Sequence, residues 1–244
     1  MTIRSENLVA QIEQNKPTLQ ALFDIPAEST INLLNLLKHE SGLEATTLNP
    51  AKSTQATRMV DLDYNNLSNM RAAWTHIYNA PRTTIIDNYA IRDIHHMLCQ
   101  NTDNTRGGLY RLQPTIALRR QSPNYATVLY RMNDIEYKLS PDYRGDKTPL
   151  FRALDIHSDL IETQAFDDFN KRTARLIMNW YLMQNDYTPI LFTQPSDNKK
   201  YMQYLRNSAD GDKDSYYEYM LEKMLFTQRA LLGVMTKYNL GQTK

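Results

Sequence analysis

Apolar residues recur three and four apart along most of this chain, the spacing of one buried face of an α-helix. Leu8 and Ile12 make a short amphipathic turn within Asn7–Gln14. Ile31, Leu33, Leu34, Leu36 and Leu37 follow Ser29 and Thr30, two good helix caps, until Gly42 and Pro50 interrupt the pattern. It returns through Leu67, Met70, Ala73, Trp74 and Ile77, and again through Ile91, Ile94 and Leu98. Thr148 and Pro149 suit the cap and first residue of a helix that buries Ala153, Leu154, His157, Leu160 and Ile161. A further helix turns Leu176, Ile177, Trp180 and Met183 inward, "NKKYMQYLRNSADGD" reads as a short helix with its exit, and a last helix carries Met220, Met224, Leu231 and Met235. Strand-like runs occur in one place only. "TIAL" and "ATVLY" flank a polar turn between Thr115 and Tyr130, which predicts a β-hairpin. The expectation is a mostly α-helical bundle with one small hairpin.

Composition narrows the function classes. The 244 residues hold 7 glycines and 10 prolines, with 41% hydrophobic and 23% charged, values of a chain with a real core. A net charge of +1 provides no global field for nucleic acid or an anionic membrane, so an anion site has to be a local cluster. Cys99 is the single cysteine, which rules out an internal disulfide and a multi-cysteine zinc site. The first residues lack the apolar core of a standard secretory signal, and no run approaches the roughly 20 apolar residues of a membrane span. The expected location is cytoplasmic, or secreted without a standard signal peptide.

The densest chemistry lies in "TQAFDDFNKRTARLIMNW", Thr163 to Trp180. A loop of about six residues joins two helices there, so the helices are near neighbours. The N-terminal end of the second helix presents free N–H groups and a positive dipole, a setting that holds phosphate. Lys171, Arg172 and Arg175 sit in its first turns, and the two arginines, three apart, share a face. Asp168 beside them is placed to hold Mg²⁺, which takes one or two carboxylates together with phosphate oxygens. The plainer alternative makes Asp167 and Asp168 ordinary helix caps whose neighbouring cations pair with them on a solvated face.

The same stretch resembles the signature loop of the Fic (Fido) family, H-P-F-x-[DE]-G-N-[GK]-R-x-x-R. Phe166, Asp168, Asn170, Lys171, Arg172 and Arg175 match it; Gln164, Ala165 and Phe169 do not. "IRDIHHML" with "GLYR" resembles the family's entry to a hairpin flap, "PLFRALDIHSDL" the helix before the signature, and "RLIMNWYLMQNDYTPI" the buried helix after it. "KHESGLEATTL" is similar to an upstream S-x-x-x-E-[GN] segment, which puts Glu44 where relatives carry an inhibitory glutamate. The likeness runs over roughly residues 30–205. It implies an N-terminal helical extension with an inhibitory-helix-like segment over 1–60, a core over 61–205 and a C-terminal helix over 206–244. It also implies transfer of AMP from ATP to a hydroxyl of a protein target, with ATP and Mg²⁺ as cofactors. Asp168 then holds the metal; Asn170, Lys171, Arg172 and Arg175 form the anion site; and the flap near Thr115 to Tyr130 receives the target as an added strand.

The departures bear on chemistry. Gln164 stands at the position of the general base, and an amide has no proton affinity near neutral pH; losing a positioned base costs about 10²–10⁴-fold in rate. Phe169 replaces the glycine that lets backbone approach phosphate, which weighs against nucleotide binding. His157, about 10 Å before Gln164 along the helix, lies on an apolar face and is assigned a structural part, as is Phe166. Glu44 paired with Arg175 is read as inhibitory or structural. His95 and His96 point in different directions on one helix and do not form a simple metal pair. Arg119 and Arg120 in the hairpin turn are solvated or face a target. The methionine stripe of the last helix is core or a homodimer face. Three readings follow: a Fic-like protein with a degenerate site that binds nucleotide or anion with weak or no AMP transfer, an active adenylyltransferase, and a non-catalytic interaction scaffold.

Overall fold

The sequence of helical faces is realised around two central helices. In the computed structural model, which describes residues 2–20, 66, 68–103, 106–192 and 197–238, the elements in chain order are α1 (Ile3–Gln20), α2 (68–79), α3 (Asn88–Leu98), β1 (Ile116–Ala117), β2 (Arg120–Gln121), α4 (Val128–Leu139), α5 (Pro149–Thr163), α6 (Asn170–Gln184), α7 (Asp197–Ala209) and α8 (Lys213–Tyr238). The helix expected over 31–40, the segment with Glu44, and Leu67 lie outside the described residues.

α6 is the hub. Ala174, Leu176, Ile177, Met178, Trp180 and Leu182 are all buried, so the helix is enclosed on nearly every side, with α5 and α3 packed against it. An all-round apolar helix of this kind belongs at the centre of a bundle. Its one deeply buried amide, Asn179, is satisfied by the chain that follows: Oδ1 accepts from Ile190 N at 2.8 Å and Nδ2 donates to Ile190 O at 3.3 Å. α5 starts with Thr148 in an extended conformation and Pro149 in the first turn, and packs on α4, α6, α7 and α8.

Two expectations need correction. α1 is a full helix of 18 residues rather than a short turn, with Pro17 inside it, because Ile12 and Leu19 are buried against α8 and Asn15 Nδ2 donates to Gln228 Oε1 at 3.1 Å. Tertiary packing here outweighs a weak local signal. The hairpin is also shorter than the run from Thr115 to Tyr130. Ile116 pairs with Gln121 and Ala117 with Arg120, but "ATVLY" is no strand. The Asn124 side chain accepts from Ala126 N and opens a single 3₁₀ turn, Tyr125–Thr127, that runs into α4. Val128, Met132, Ile135 and Leu139 are buried at intervals of four, three and four, a helical period that overrides the β preference of Thr127 and Val128.

Candidate functional site: a cleft at the start of α6

The six residues between α5 and α6 form a rigid arch. Gln164 closes α5 and Phe169 opens α6, both with left-handed backbone, at φ 46° and φ 57°. Asn170 staples the arch from within: its Oδ1 accepts from Phe166 N at 2.9 Å and its Nδ2 donates to Phe166 O at 2.8 Å. Phe166 is buried beneath and stacks flat on the His95 imidazole, centroids 3.8 Å apart. His95 Nδ1 accepts from Gly108 N at 2.8 Å, so the ring proton sits on Nε2, which donates to Asp168 O at 3.1 Å. Burial lowers this histidine from 6.5 to about 4 and keeps it neutral despite its aspartate neighbours. Gly108 holds φ at 79°, and a Cβ there would stand 3.1 Å from Arg92 O. Cys99 lies beside His95, and burial raises its thiol to about 11, so it is not a ready nucleophile.

Arg111 fastens the arch to the hairpin. The residue is 1% exposed, and its guanidinium donates to Gln164 O at 2.6 Å, Gln113 O at 2.8 Å and Pro123 O at 2.5 Å. Its backbone N–H donates to Ala165 O at 2.9 Å. One side chain therefore binds both ends of the hairpin segment and the first residues of the arch. Neither this role nor that of His95 has a signal in local periodicity. Arg111 sits in an irregular, turn-rich stretch, and only the quoted "GLYR" likeness marked it.

Between hairpin and arch opens a cleft of about 590 Å³, within the usual range for small-molecule sites. Thr115 to Leu118 line the hairpin side; Gln164, Asp168, Phe169, Lys171, Arg172 and Arg175 line the other. The expected site residues thus converge, with distinct environments. The Gln164 carboxamide folds back on its own helix, Nε2 donating to Ile161 O at 2.6 Å. Asp168 Oδ1 accepts from Phe169 N at 2.6 Å, while Asp167 faces Arg106 at 3.4 Å. Arg172 donates to Asn66 Oδ1 at 2.8 Å and lies over the Phe169 ring at 4.6 Å. Arg175 is held between the rings of Phe192 and Tyr201, at 4.5 and 4.4 Å, and its Nε–H is buried without a hydrogen-bond partner. Partial burial, then the positive charges of Arg175 and Arg172, lower the Lys171 ammonium. Lys171, Arg172 and Arg175 thus gather positive charge on one side of the cleft, with Asp168 beside them, a local field suited to an anion.

Asn170 also lines the cleft, with both its amide oxygen and its amide nitrogen engaged on the arch. His157 does not line the cleft; it is buried behind Arg175 with hydroxyls on both nitrogens. No cluster of three or more metal-ligating side chains exists among the described residues. No helix among them is long and apolar enough to cross a membrane.

Residues 85–182 match the model of the Fic/DOC family. Over 185 residues the chain is 29% identical to the protein adenylyltransferase Fic of Aedes aegypti, covering 71% of this chain and 36% of that protein. The corresponding protein of Drosophila yakuba gives 29% over 185 residues and 37% of its length. The chain thus spans little more than a third of the curated relatives it matches. Among solved structures, Fic-1 (aa134–508) from C. elegans superposes with a TM-score of 0.72 at 19% identity, over 96% of this chain and 73% of that one. A Fic domain containing signaling protein from Bacteroides thetaiotaomicron gives 0.65 at 19% identity, over 94% and 98%. At these identities the structures speak for the fold: a helical Fic architecture with a small hairpin.

Proposed function

Residues 85–182 belong to the Fic/DOC family, and from that premise we propose that the cleft binds a nucleotide or other polyphosphate with weak or no transfer of AMP. The observation that carries the reading is the pairing of an intact cationic helix mouth with a carboxamide at the base position, turned back on Ile161 O. Lys171, Arg172 and Arg175 supply the charge for phosphate oxygens, and the unpartnered Arg175 Nε–H fits an anion acceptor. Asp168 is the carboxylate that would help hold Mg²⁺, which would neutralise phosphate charge when bound.

The chemistry is weak on this reading for a specific reason. A target hydroxyl has to lose its proton as it attacks phosphorus, and the Gln164 amide orients a hydroxyl without accepting that proton. Phe169 brings a ring into the cleft where the family signature has glycine, narrowing the approach to the α6 N-terminus. A protein target at the exposed hairpin edge, where Ile116 is 78% exposed, completes the proposal.

The test pairs binding with labelling. Calorimetry with ATP and Mg²⁺ should give saturable binding that Arg175→Ala removes. Incubation with labelled ATP should leave the natural chain almost unlabelled, and Gln164→His combined with Phe169→Gly should raise self-labelling by about 10²-fold or more. Rapid labelling by the natural chain would refute the weakened chemistry, and absence of binding would refute the anion site.

A further inference from the structure

Behind Arg175 runs a buried chain of hydrogen bonds whose direction can be assigned link by link. Tyr216 O–H donates to the Leu154 carbonyl at 3.0 Å, an oxygen that can only accept. The phenol's single proton is therefore committed, and toward His157 Nδ1, at 2.7 Å, Tyr216 acts as acceptor. Nδ1 must carry the imidazole proton. His157 is fully buried, and burial followed by the charge of Arg175 lowers it from 6.5 to about 3, so it holds no second proton. Nε2 is then a bare lone pair, and Tyr201 O–H, at 2.9 Å, donates to it. That contact fixes the torsion and tilt of a fully buried phenol ring. The same ring, with Phe192 packed on it edge-on at 4.8 Å, forms one wall against the Arg175 guanidinium. Stacked guanidinium groups gain from the ring face, and only while the ring is held.

We propose that His157, as its neutral Nδ1–H tautomer, is a positioning residue for the anion site, acting through the Tyr201 ring on Arg175. The inference rests on the proposed anion-binding role of Arg175, and its chemistry differs from that of a replacement base: His157 never meets the ligand. It explains why a histidine rather than an aliphatic residue occupies a solvent-free helix face. Only a side chain with one donor and one acceptor on opposite edges can join two phenols in this order.

Nuclear magnetic resonance on the ¹⁵N-labelled full chain decides the chain of bonds without any ligand. His157 should show a protonated Nδ1 and an unprotonated Nε2 at pH 7; the opposite tautomer or an imidazolium overturns the proposal. Tyr201→Phe keeps the ring and removes the hydroxyl, which meets the Arg175 side chain as well as His157, so a His157 variant separates the two contacts. It should speed solvent exchange of Arg175 Nε–H by about tenfold while Arg111 Nε–H, buried elsewhere, stays unchanged. Equal effects on both arginines, or on neither, would mean that His157 serves the core alone. Should His157→Gln fold, it should act as Tyr201→Phe does. Calorimetry with ATP and Mg²⁺ forms a separate arm. Tyr201→Phe should weaken binding about 3- to 10-fold and add nothing once Arg175 is changed to Lys. No binding by the natural chain would sink the anion reading while the tautomer and exchange results still judge the positioning chain.

Discussion

Phe169 keeps a left-handed backbone, φ 57° and ψ 7°, at the place the Fic signature gives to glycine. A side chain in that conformation costs about 1–2 kcal/mol, and the arch imposes it because Asn170 and His95 hold both flanks. The ring recovers part of this cost by lying under Arg172. The two effects separate in a pair of variants. Phe169→Ala and Phe169→Gly both remove the ring, but only glycine relieves the backbone. Urea unfolding should find the glycine variant more stable than the alanine variant by about 1 kcal/mol, the reverse of the order in an ordinary helix. Equal stabilities would mean that the turn relaxes when the ring goes. Gln164, at the other end of the arch, is also left-handed, at φ 46°.

At the scale of elements, the hairpin and the arch are a single unit because Arg111 joins them. A buried cation that meets four backbone carbonyls, at Gln113, Pro123, Thr163 and Gln164, leaves all of them unpaired when removed. Arg111→Met should therefore lower stability by about 2–4 kcal/mol. Hydrogen exchange should rise together at Ser122, which pairs with Thr115, and at Phe166, while the centre of α6 stays protected. A rise in the hairpin alone would show that the two segments move independently. Leu118 and Arg119, at φ 53° and 64°, form a two-residue hairpin turn with both centres left-handed. Such a turn favours Asn-Gly, so this one is held from outside, by the anchored base rather than by its own residues.

For the whole molecule, two buried neutral histidines set the response to acid. His95 is lowered to about 4 and His157 to about 3, both chiefly by burial, whereas the unfolded chain titrates near 6.5. Below pH 6.5 the unfolded state binds protons that the folded state refuses, so stability falls as pH drops. The loss should begin near pH 6.5 and approach two protons' worth, about 2.7 kcal/mol per pH unit, between pH 5.5 and 4.5. Asp155, held below the usual carboxylate range against its burial by Lys147, Tyr217 and Lys213, adds a loss of the same sign only below about pH 4. Urea titrations at pH 7.5, 6.5, 5.5 and 4.5 check this. A flat profile to pH 5 would mean that neither ring is held neutral in the folded protein, and a loss of half that slope that only one is.

Helical spacing of apolar residues, the Thr148-Pro149 start of α5 and the short link to α6 were enough to predict a helical bundle and to place Asp168, Lys171, Arg172 and Arg175 at one helix mouth, because each depends on neighbours within a few turns. The cleft itself depended on distant contacts. Arg111 crosses about 50 residues to reach Gln164, His95 supports Asp168 from 73 residues away, and Tyr201 and Tyr216 meet His157 across 44 and 59. The fate of "ATVLY" was likewise decided by where Val128 and Met132 find a core. Sequence periodicity records which face of an element is apolar, whereas the direction of a buried hydrogen bond exists only once folding has excluded water and left each polar atom a single partner.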